Sequence, residues 1–414
     1  MAEDSIAALR FGEFRDFISA KFLLTLGTNM LAVLIGWKIY EYTKDAFMLG
    51  LIGLVEFVPA LLLSFFVGHW VDISEKRSLL LWCYAFTVAL SCIPLLFCSD
   101  YFTWRFSEAN MIWALFATMF LLGIARAFIS PSAFSLIHQL VDHEVLQNAS
   151  TWNSTSWQFA SDIAPAIAGF WYAKYGGDSI FLTIIIILIF ATWLIYRIKP
   201  KPILYKQSEN VLASLKEGID FVLKNKAILW AISLDMLAVL FGGAVALLPI
   251  FADQILNCGA EGFGWLRAAT SMGTILVLLL ITYFPIIENP GKKMIMAVIG
   301  FGVCMVVFGL SEWFWLSFLA LFLSGVFDGI SVNVRSNILQ FKIPHEMKGR
   351  VNSVNSVFVS SSNELGAFES GVTAHWWGPQ RAVAIGGMVT VGIATLVYFK
   401  VKSLAKLTMK YEGS

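Results

Sequence analysis

Residues 344–371 read PHEMKGRVNSVNSVFVSSSNELGAFESG, and the same arrangement occurs a second time 202 positions earlier. There His143-Glu144 answers His345-Glu346, Asn153-Ser154 answers Asn355-Ser356, Asp162 answers Glu364 and Gly169 answers Gly371. Each copy runs from a charged turn into a mostly apolar helix that carries one carboxylic acid about halfway along. The chain therefore reads as a duplicated unit with two similar halves.

Composition places both halves in a membrane. Of 414 residues, 58% are hydrophobic and 14% charged, and the mean hydropathy is +0.74, far outside the range of soluble domains. A bilayer core about 30 Å thick takes roughly 20 apolar residues of helix. Such runs predict spans over 17–42, 47–70, 78–98, 111–134, 149–173, 179–197, 228–252, 263–285, 293–311, 313–335, 350–374 and 380–400. Their length and continuity exclude a closed barrel of short alternating strands. The expected fold is an all-α integral membrane protein, with twelve transmembrane helices in two pseudo-symmetric six-helix bundles. The expected domains are an N-terminal bundle over 1–197, a cytoplasmic linker with an amphipathic helix over 198–226, and a C-terminal bundle over 227–414.

The net charge of +1 says little about partners, but its distribution orients the chain. Twenty Lys and Arg flanking the spans, among them Arg10, Lys76, Arg77, Lys199, Lys201, Lys348 and Arg350, fall on one side. Lys44, Arg105, Lys174 and Arg381 fall on the other. The positive-inside rule then predicts both termini in the cytoplasm. The opening MAEDSIAALRFGEFRDF is acidic and polar, unlike a cleaved secretory signal. Five scattered cysteines, Cys83, Cys92, Cys98, Cys258 and Cys304, have no metal or disulfide spacing and read as packing residues. The sequons at Asn148 and Asn153 fall on the cytoplasmic side or inside helix 5 and are attributed to chance.

Polar residues inside the spans are the candidates for function. Helix 1 sets Thr25 and Asn29 one turn apart on one face, which suits either a substrate contact or a helix-to-helix bond. Helix 2 carries Glu56. Helix 5 presents Ser154, Gln158, Asp162, Pro165 and Gly169 as one polar face. Helix 7 holds Asp235 and breaks around Gly242-Gly243 and Pro249. Arg267, near the start of helix 8, is expected to snorkel outward. Helix 10 aligns Ser324, Asp328, Ser331 and Arg335, although Asp328 and Arg335 are two turns apart and would need long side chains to meet. Helix 11 repeats helix 5 with Ser356, Ser360, Glu364 and Gly371. In the linker, SENVLASLKEGIDFVL opens on a capping Ser208 and puts Val211, Leu215, Ile219 and Val222 on one stripe, as for a helix lying on the inner membrane surface.

Helix 2 leaves through GHWVDISEKRSLL, where Gly68, Asp72, Lys76 and Arg77 resemble the signature loop between helices 2 and 3 of the major facilitator superfamily. Twelve spans, a linker between helices 6 and 7 and two similar halves extend that resemblance over the whole chain. SPSAFSLIHQLVDHEVLQNASTWNS after helix 4, LDMLAVLFGGAVALLPIFA in helix 7 and the stretch 344–371 resemble the macrolide-efflux and enterobactin-exporter branch of bacterial drug:proton antiporters. The resemblance implies a multi-pass protein of the bacterial plasma (inner) membrane. It also implies that Gly68, Asp72, Lys76 and Arg77 form a gating latch between the halves, whereas the corresponding loop before helix 9 keeps only GKK. Arg126, in LLGIARAFISPS, occupies the position linked to proton coupling in this superfamily, although Ile129, Ser130 and Ser132 depart from the usual continuation. DIAPAIAG keeps Pro165 and Gly169 of the antiporter motif of helix 5, while Asp162 and Ala164 depart from it.

Glu56, Asp162, Asp235, Asp328, Glu364 and Arg126 facing lipid would together cost on the order of 15–20 kcal/mol, more than a protein's net stability. They are therefore expected to line an aqueous cavity or pair with one another. Five acids against one deep arginine leave some acids to be protonated in one state, as a proton carrier requires. The sequence thus predicts a proton-coupled exporter of a small amphipathic molecule (a drug, macrolide or siderophore-like compound) working by alternating access. Its proton-coupling candidates are Asp162, Glu364, Asp235, Asp328, Glu56 and Arg126. Its substrate-cavity candidates are Thr25, Asn29, Gln158, Ser360 and Arg335. Small-molecule substrate, protons and lipid are the expected partners, with no nucleic acid, no cofactor and no resident metal, and the chain is expected to be a monomer. A lysophospholipid or divalent-metal transporter of the same fold is the alternative; His69, His138, His143, His345 and His375 all fall at loops or span ends, which disfavours a soft-metal site. A non-transporting sensor or scaffold is the alternative of another class, and no catalytic constellation points to an enzyme.

Overall fold

The computed structural model describes residues 6–99, 105–203, 211–284, 286, 288–344, 347–405 and 407. Each expected span falls on helix. The helices are α1 (Gly12–Thr43), α2 (Ala46–Ile73), α3 (Lys76–Cys98), α4 (Glu108–Leu140), α5 (Leu146–Arg197), α6 (Val211–Lys224), α7 (Lys226–Gly242), α8 (Leu248–Ile250), α9 (Gly259–Tyr283), α10 (Pro290–Leu310), α11 (Phe314–Lys342), α12 (Lys348–Trp377), α13 (Pro379–Lys400) and α14 (Lys402–Ala405). His345, Glu346 and the expected cap Ser208 lie outside the described residues. Ten helical runs among the described residues are long and apolar enough to cross a membrane. The run His143–Arg197 counts once among them, and α12 falls short because its first half is rich in Asn and Ser.

Local chemistry sets the helix ends. Glu75 caps α3 by accepting from the Arg77 and Ser78 amides, Ser107 caps α4 and Asn225 caps α7, each satisfying amides that have no partner within the helix. Pro290 and Pro379 open α10 and α13, where a missing N–H costs nothing. Expected helices 5 and 6 form one run in α5, broken at Gly176, with φ 79° and ψ 175°. Helices α12 and α13 meet at Gly378, with φ 83° and ψ 154°. The two glycines are 202 residues apart, as are the starts of α5 and α12, so the sequence repeat is also a repeat of backbone shape.

The chain divides into two compact units, Met1–Thr43 with Val55–Ser208, and Lys44–Leu54 with Glu209–Ser414. In the first, α1 and α5 run parallel at a constant offset. Lys21 meets Asn153 and Asn29 meets Ser161, each 132 residues apart, and Glu41 meets Tyr172, 131 apart. Helix α4 rests on α2 at Gly123, where a Cβ would collide with the Glu56 carbonyl oxygen. In the second unit Gly325, 202 residues on, brings α11 against the Thr270 carbonyl of α9 in the same way. Lipid tails are as apolar as leucine side chains, so these helices associate through close packing and polar contacts, not through water exclusion.

The second unit's core joins Ala231, Leu234 and Ala238 of α7 to Val298 of α10, Ile338 of α11 and Val397 of α13. Helix α7 stops at Gly242, and the chain continues through Ala244–Leu247, α8 and a π-helical turn over Phe251–Ile255. This is the break that the glycines and Pro249 predict. Linker helix α6 docks on its own unit, with Val222 buried against Ile228, Leu339 and Val351 and Glu217 paired with Arg350 at 2.5 Å. Ile219, on the stripe expected to face the membrane surface, is exposed.

Candidate functional site

In the first unit the polar residues gather along the α1–α5 seam. The Lys21 Nζ donates to Asn153 Oδ1 at 2.5 Å. Two turns on, Asn29 Nδ2 donates to the Thr25 carbonyl at 2.9 Å and reaches Ser161 Oγ at 3.5 Å. Gln158 Nε2 donates to both carboxylate oxygens of Asp162 at 3.1 Å. Thr25, Asn29, Gln158 and Asp162 are thus brought to one helix pair. Lys21, Asn153 and Ser161 join them, although sequence reasoning passed over all three. The signal for Lys21 was present, because positions 21, 25 and 29 are spaced by four and share a helix face.

Across α2 and α4, Arg126 Nη1 lies 3.1 Å from Glu56 Oε1. The Gly123 contact sets this spacing, since it lets the helix backbones approach one turn before Arg126. Positions 126 and 328 correspond in the repeat, so the second half carries an acid, Asp328, where the first carries a base.

In the second unit Arg335 bonds to Asp235 of α7, and Ser331 Oγ donates to Asp235 Oδ1 at 3.2 Å. Helix α11 therefore aims Arg335 at its neighbour and not back along its own face toward Asp328. Arg335 and Asp235 are 6% and 4% exposed, and among the described residues the Arg335 Nε–H finds no hydrogen-bond acceptor. The expectation of a single deep arginine is corrected by this pair and by Lys21. Glu364 is half-buried, with its carboxylate against Gly53, and Ser360 is half-buried one turn before it. Arg267, expected to snorkel, is half-buried with its guanidinium 5.7 Å over the Phe263 ring.

The α2–α3 turn is a separate polar cluster. Lys76 is buried, and its Nζ donates to the carbonyls of Val71, Asp72 and Ser74, closing the end of α2. Arg77 donates to the Ile198 and Tyr196 carbonyls at 3.1 and 2.6 Å. Glu75 also accepts from the Lys201 amide at 3.0 Å, and Glu13 accepts from the Lys199 amide at 3.2 Å. Burial opposes charge on Glu75, but hydrogen bonds from Ser78, Lys201 and Arg77 outweigh it and hold the carboxyl below its usual range. Gly68 and Asp72 are half-buried beside this turn. All five cysteines are free, and among the described residues no three His, Cys, Asp or Glu side chains converge as metal ligands would.

Comparison with known proteins agrees with this architecture. The Staphyloferrin A transporter of Staphylococcus aureus (strain NCTC 8325 / PS 47) is 24% identical over 96% of this chain and 98% of its own length. The enterobactin exporter EntS of Shigella boydii serotype 18 (strain CDC 3083-94 / BS512) is 24% identical over 62% of each. The crystal structure of a D-xylose-proton symporter superposes with a TM-score of 0.71, covering 96% of this chain and 100% of that one; at 12% identity the match shows the fold alone. The model of the Major Facilitator Superfamily matches residues 17–367. The chain belongs to the Major Facilitator Superfamily of multi-pass membrane transporters and is not an enzyme.

Proposed function

We propose that this transporter is a proton-coupled exporter of a small amphipathic molecule, working by alternating access in a bacterial inner membrane with both termini in the cytoplasm. The carrying observation is the doubled carboxylate. Asp162 and Glu364 each sit sixteen residues into equivalent helices, α5 and α12, which start 202 residues apart and meet equivalent glycines, Gly176 at the break in α5 and Gly378 after α12. An acid in the interior of a spanning helix is costly, and its recurrence in both halves argues for a shared task. On that recurrence the proton step is assigned first to Asp162 and Glu364, with Asp235, Asp328 and Glu56 behind them.

The membrane potential supplies about 2.3 kcal/mol per charge per 100 mV, enough for useful accumulation at one proton per substrate. The domain limits 1–197, 198–226 and 227–414, the latch role of Gly68, Asp72, Lys76 and Arg77, and a monomeric state belong to the same proposal. Export is supported by the EntS relative, and a siderophore-like cargo by the names of both relatives. The test is acid-driven transport in proteoliposomes. The double variant Asp162→Asn with Glu364→Gln is expected to abolish pH-driven movement while leaving passive exchange; full pH-driven transport in that variant overturns the assignment.

A further inference from the structure

Most cations inside the spanning helices have a carboxylate or a ring to offset them. Lys38 pairs with Glu41 at 2.9 Å, Arg126 with Glu56 and Arg335 with Asp235, and Arg267 rests on the Phe263 ring. Lys21 is different. Its partner is the neutral amide of Asn153, and among the described residues no carboxylate pairs with it. An ammonium group has three N–H donors and no acceptor, so one bond to an amide oxygen leaves most of its capacity unused.

The position of Lys21 makes this meaningful. It lies nine residues into α1, about 13 Å of rise from the helix start. Its side chain crosses to α5 and does not run toward the end of α1. Asn153, seven residues into α5, holds it there. The surroundings are amphipathic. Phe22 stacks with Phe159 across the same helix pair at 6.3 Å, and Trp157, one turn beyond Asn153, is exposed. A fixed cation, an adjacent amide that can donate through its NH2 group, and aromatic faces within one turn together match an aromatic or otherwise apolar molecule bearing a carboxylate.

We propose that Lys21 and Asn153 form the binding site for a carboxylate of the transported molecule, which makes the cargo an amphipathic organic anion. This rests on the transporter reading above and narrows its substrate class. The carboxylate takes the Lys21 donors that Asn153 leaves open, and the Asn153 amide holds the ammonium in place and donates to the second oxygen. Neutral analogues lose the charge-assisted bond and keep only the apolar contacts.

The test uses the full-length protein in lipid nanodiscs, with 1-naphthoate and its neutral isostere 1-naphthamide as probes and affinities read from tryptophan quenching. The wild type is expected to favour naphthoate by at least about tenfold, the scale of one charge-assisted hydrogen bond. Lys21→Met is expected to remove that preference and leave naphthamide binding within about twofold, while Lys21→Arg keeps it. Asn153→Asp, which supplies Lys21 with an internal carboxylate, is expected to remove the preference without emptying the seam. A wild type that does not distinguish the two probes, or a Lys21→Met variant that retains the preference, overturns the site. Acid-driven flux in proteoliposomes separates this from the export reading. Lys21-dependent binding of naphthoate with no flux of either probe leaves the site standing and sinks proton-driven export. Flux of both probes that is unchanged in Lys21→Met does the reverse.

Discussion

Arg335 on α11 bonds to Asp235 on α7, and Ser331, one turn before the arginine, holds the other carboxylate oxygen. Both side chains are buried, with Asp235 4% and Arg335 6% exposed. Asp235→Asn or Arg335→Met alone is expected to destabilise by about 3–5 kcal/mol, because each leaves an uncompensated buried charge. The double variant Asp235→Leu with Arg335→Met is expected to unfold nearer the wild type than either single change. Thermal unfolding of the purified protein reads this. If the double variant also keeps acid-driven transport, Asp235 holds helices together and carries no proton.

The Glu56–Arg126 pair is more open, with the arginine side chain 43% exposed. Removing the acid takes away the carboxylate that offsets Arg126 in a spanning helix, where an arginine costs about 2.5–3.5 kcal/mol on insertion scales. Glu56→Gln is therefore expected to insert poorly, and Glu56→Gln with Arg126→Gln to recover. The amount of folded protein per membrane, measured by fluorescence size exclusion, checks the order. Equal yields from the single and double variants would mean that the two charges do not depend on each other.

Among the described residues nothing lies within 4 Å of a Cβ added at Gly176 or Gly378, so the cost of a side chain there is assigned to backbone strain and not to crowding. Their combination of positive φ with extended ψ is accessible essentially to glycine alone, at about 1–3 kcal/mol for other residues. Gly176→Ala and Gly378→Ala are each expected to lower stability by that amount. Asparagine, which tolerates the left-handed helical region, is not expected to do better, since ψ near 175° and 154° lies outside it. Denaturation midpoints of the four single variants decide this.

How much of this was legible beforehand follows from what each feature depends on. Apolar run length set the spans, and the 202-residue repeat foretold that α5 and α12 would correspond; both are properties of the chain itself. The break after α7 was legible in Gly242-Gly243 and Pro249 for the same reason. Partner choice was not. Whether Arg335 meets Asp328 on its own helix or Asp235 on another depends on how α11 is rotated against α7, and no local periodicity records that. Lys21 and Asn153 escaped because each looks ordinary alone, a lysine near a span end and an asparagine in a sequon. The fixed offset of α1 against α5 makes them a pair. That Val222 of α6 packs on Ile228, Leu339 and Val351 was not legible either, because an amphipathic stripe does not say which neighbour covers it.

Glu75 links acidity to the α2–α3 turn. Its folded pKa is depressed, so its stabilising contribution is complete above the unfolded value, about 4.3 for a free glutamate, and is lost as pH falls through the lower folded value. Wild type and Glu75→Gln are expected to differ in thermal midpoint near neutral pH and to converge below that window. A difference that persists unchanged to pH 3 would locate the effect elsewhere.

The residues that finish α2 and begin α3 also anchor the chain leaving α5. Arg77 holds the Tyr196 and Ile198 carbonyls, Glu13 the Lys199 amide and Glu75 the Lys201 amide. At its far side, α6 is fastened by Val222 and Glu217. Composition marks 198–226 as connector, but both of its ends are spoken for. An insertion or deletion at 198–201 or within α6 therefore cuts into an anchor, although both lie in what composition alone marks as connector.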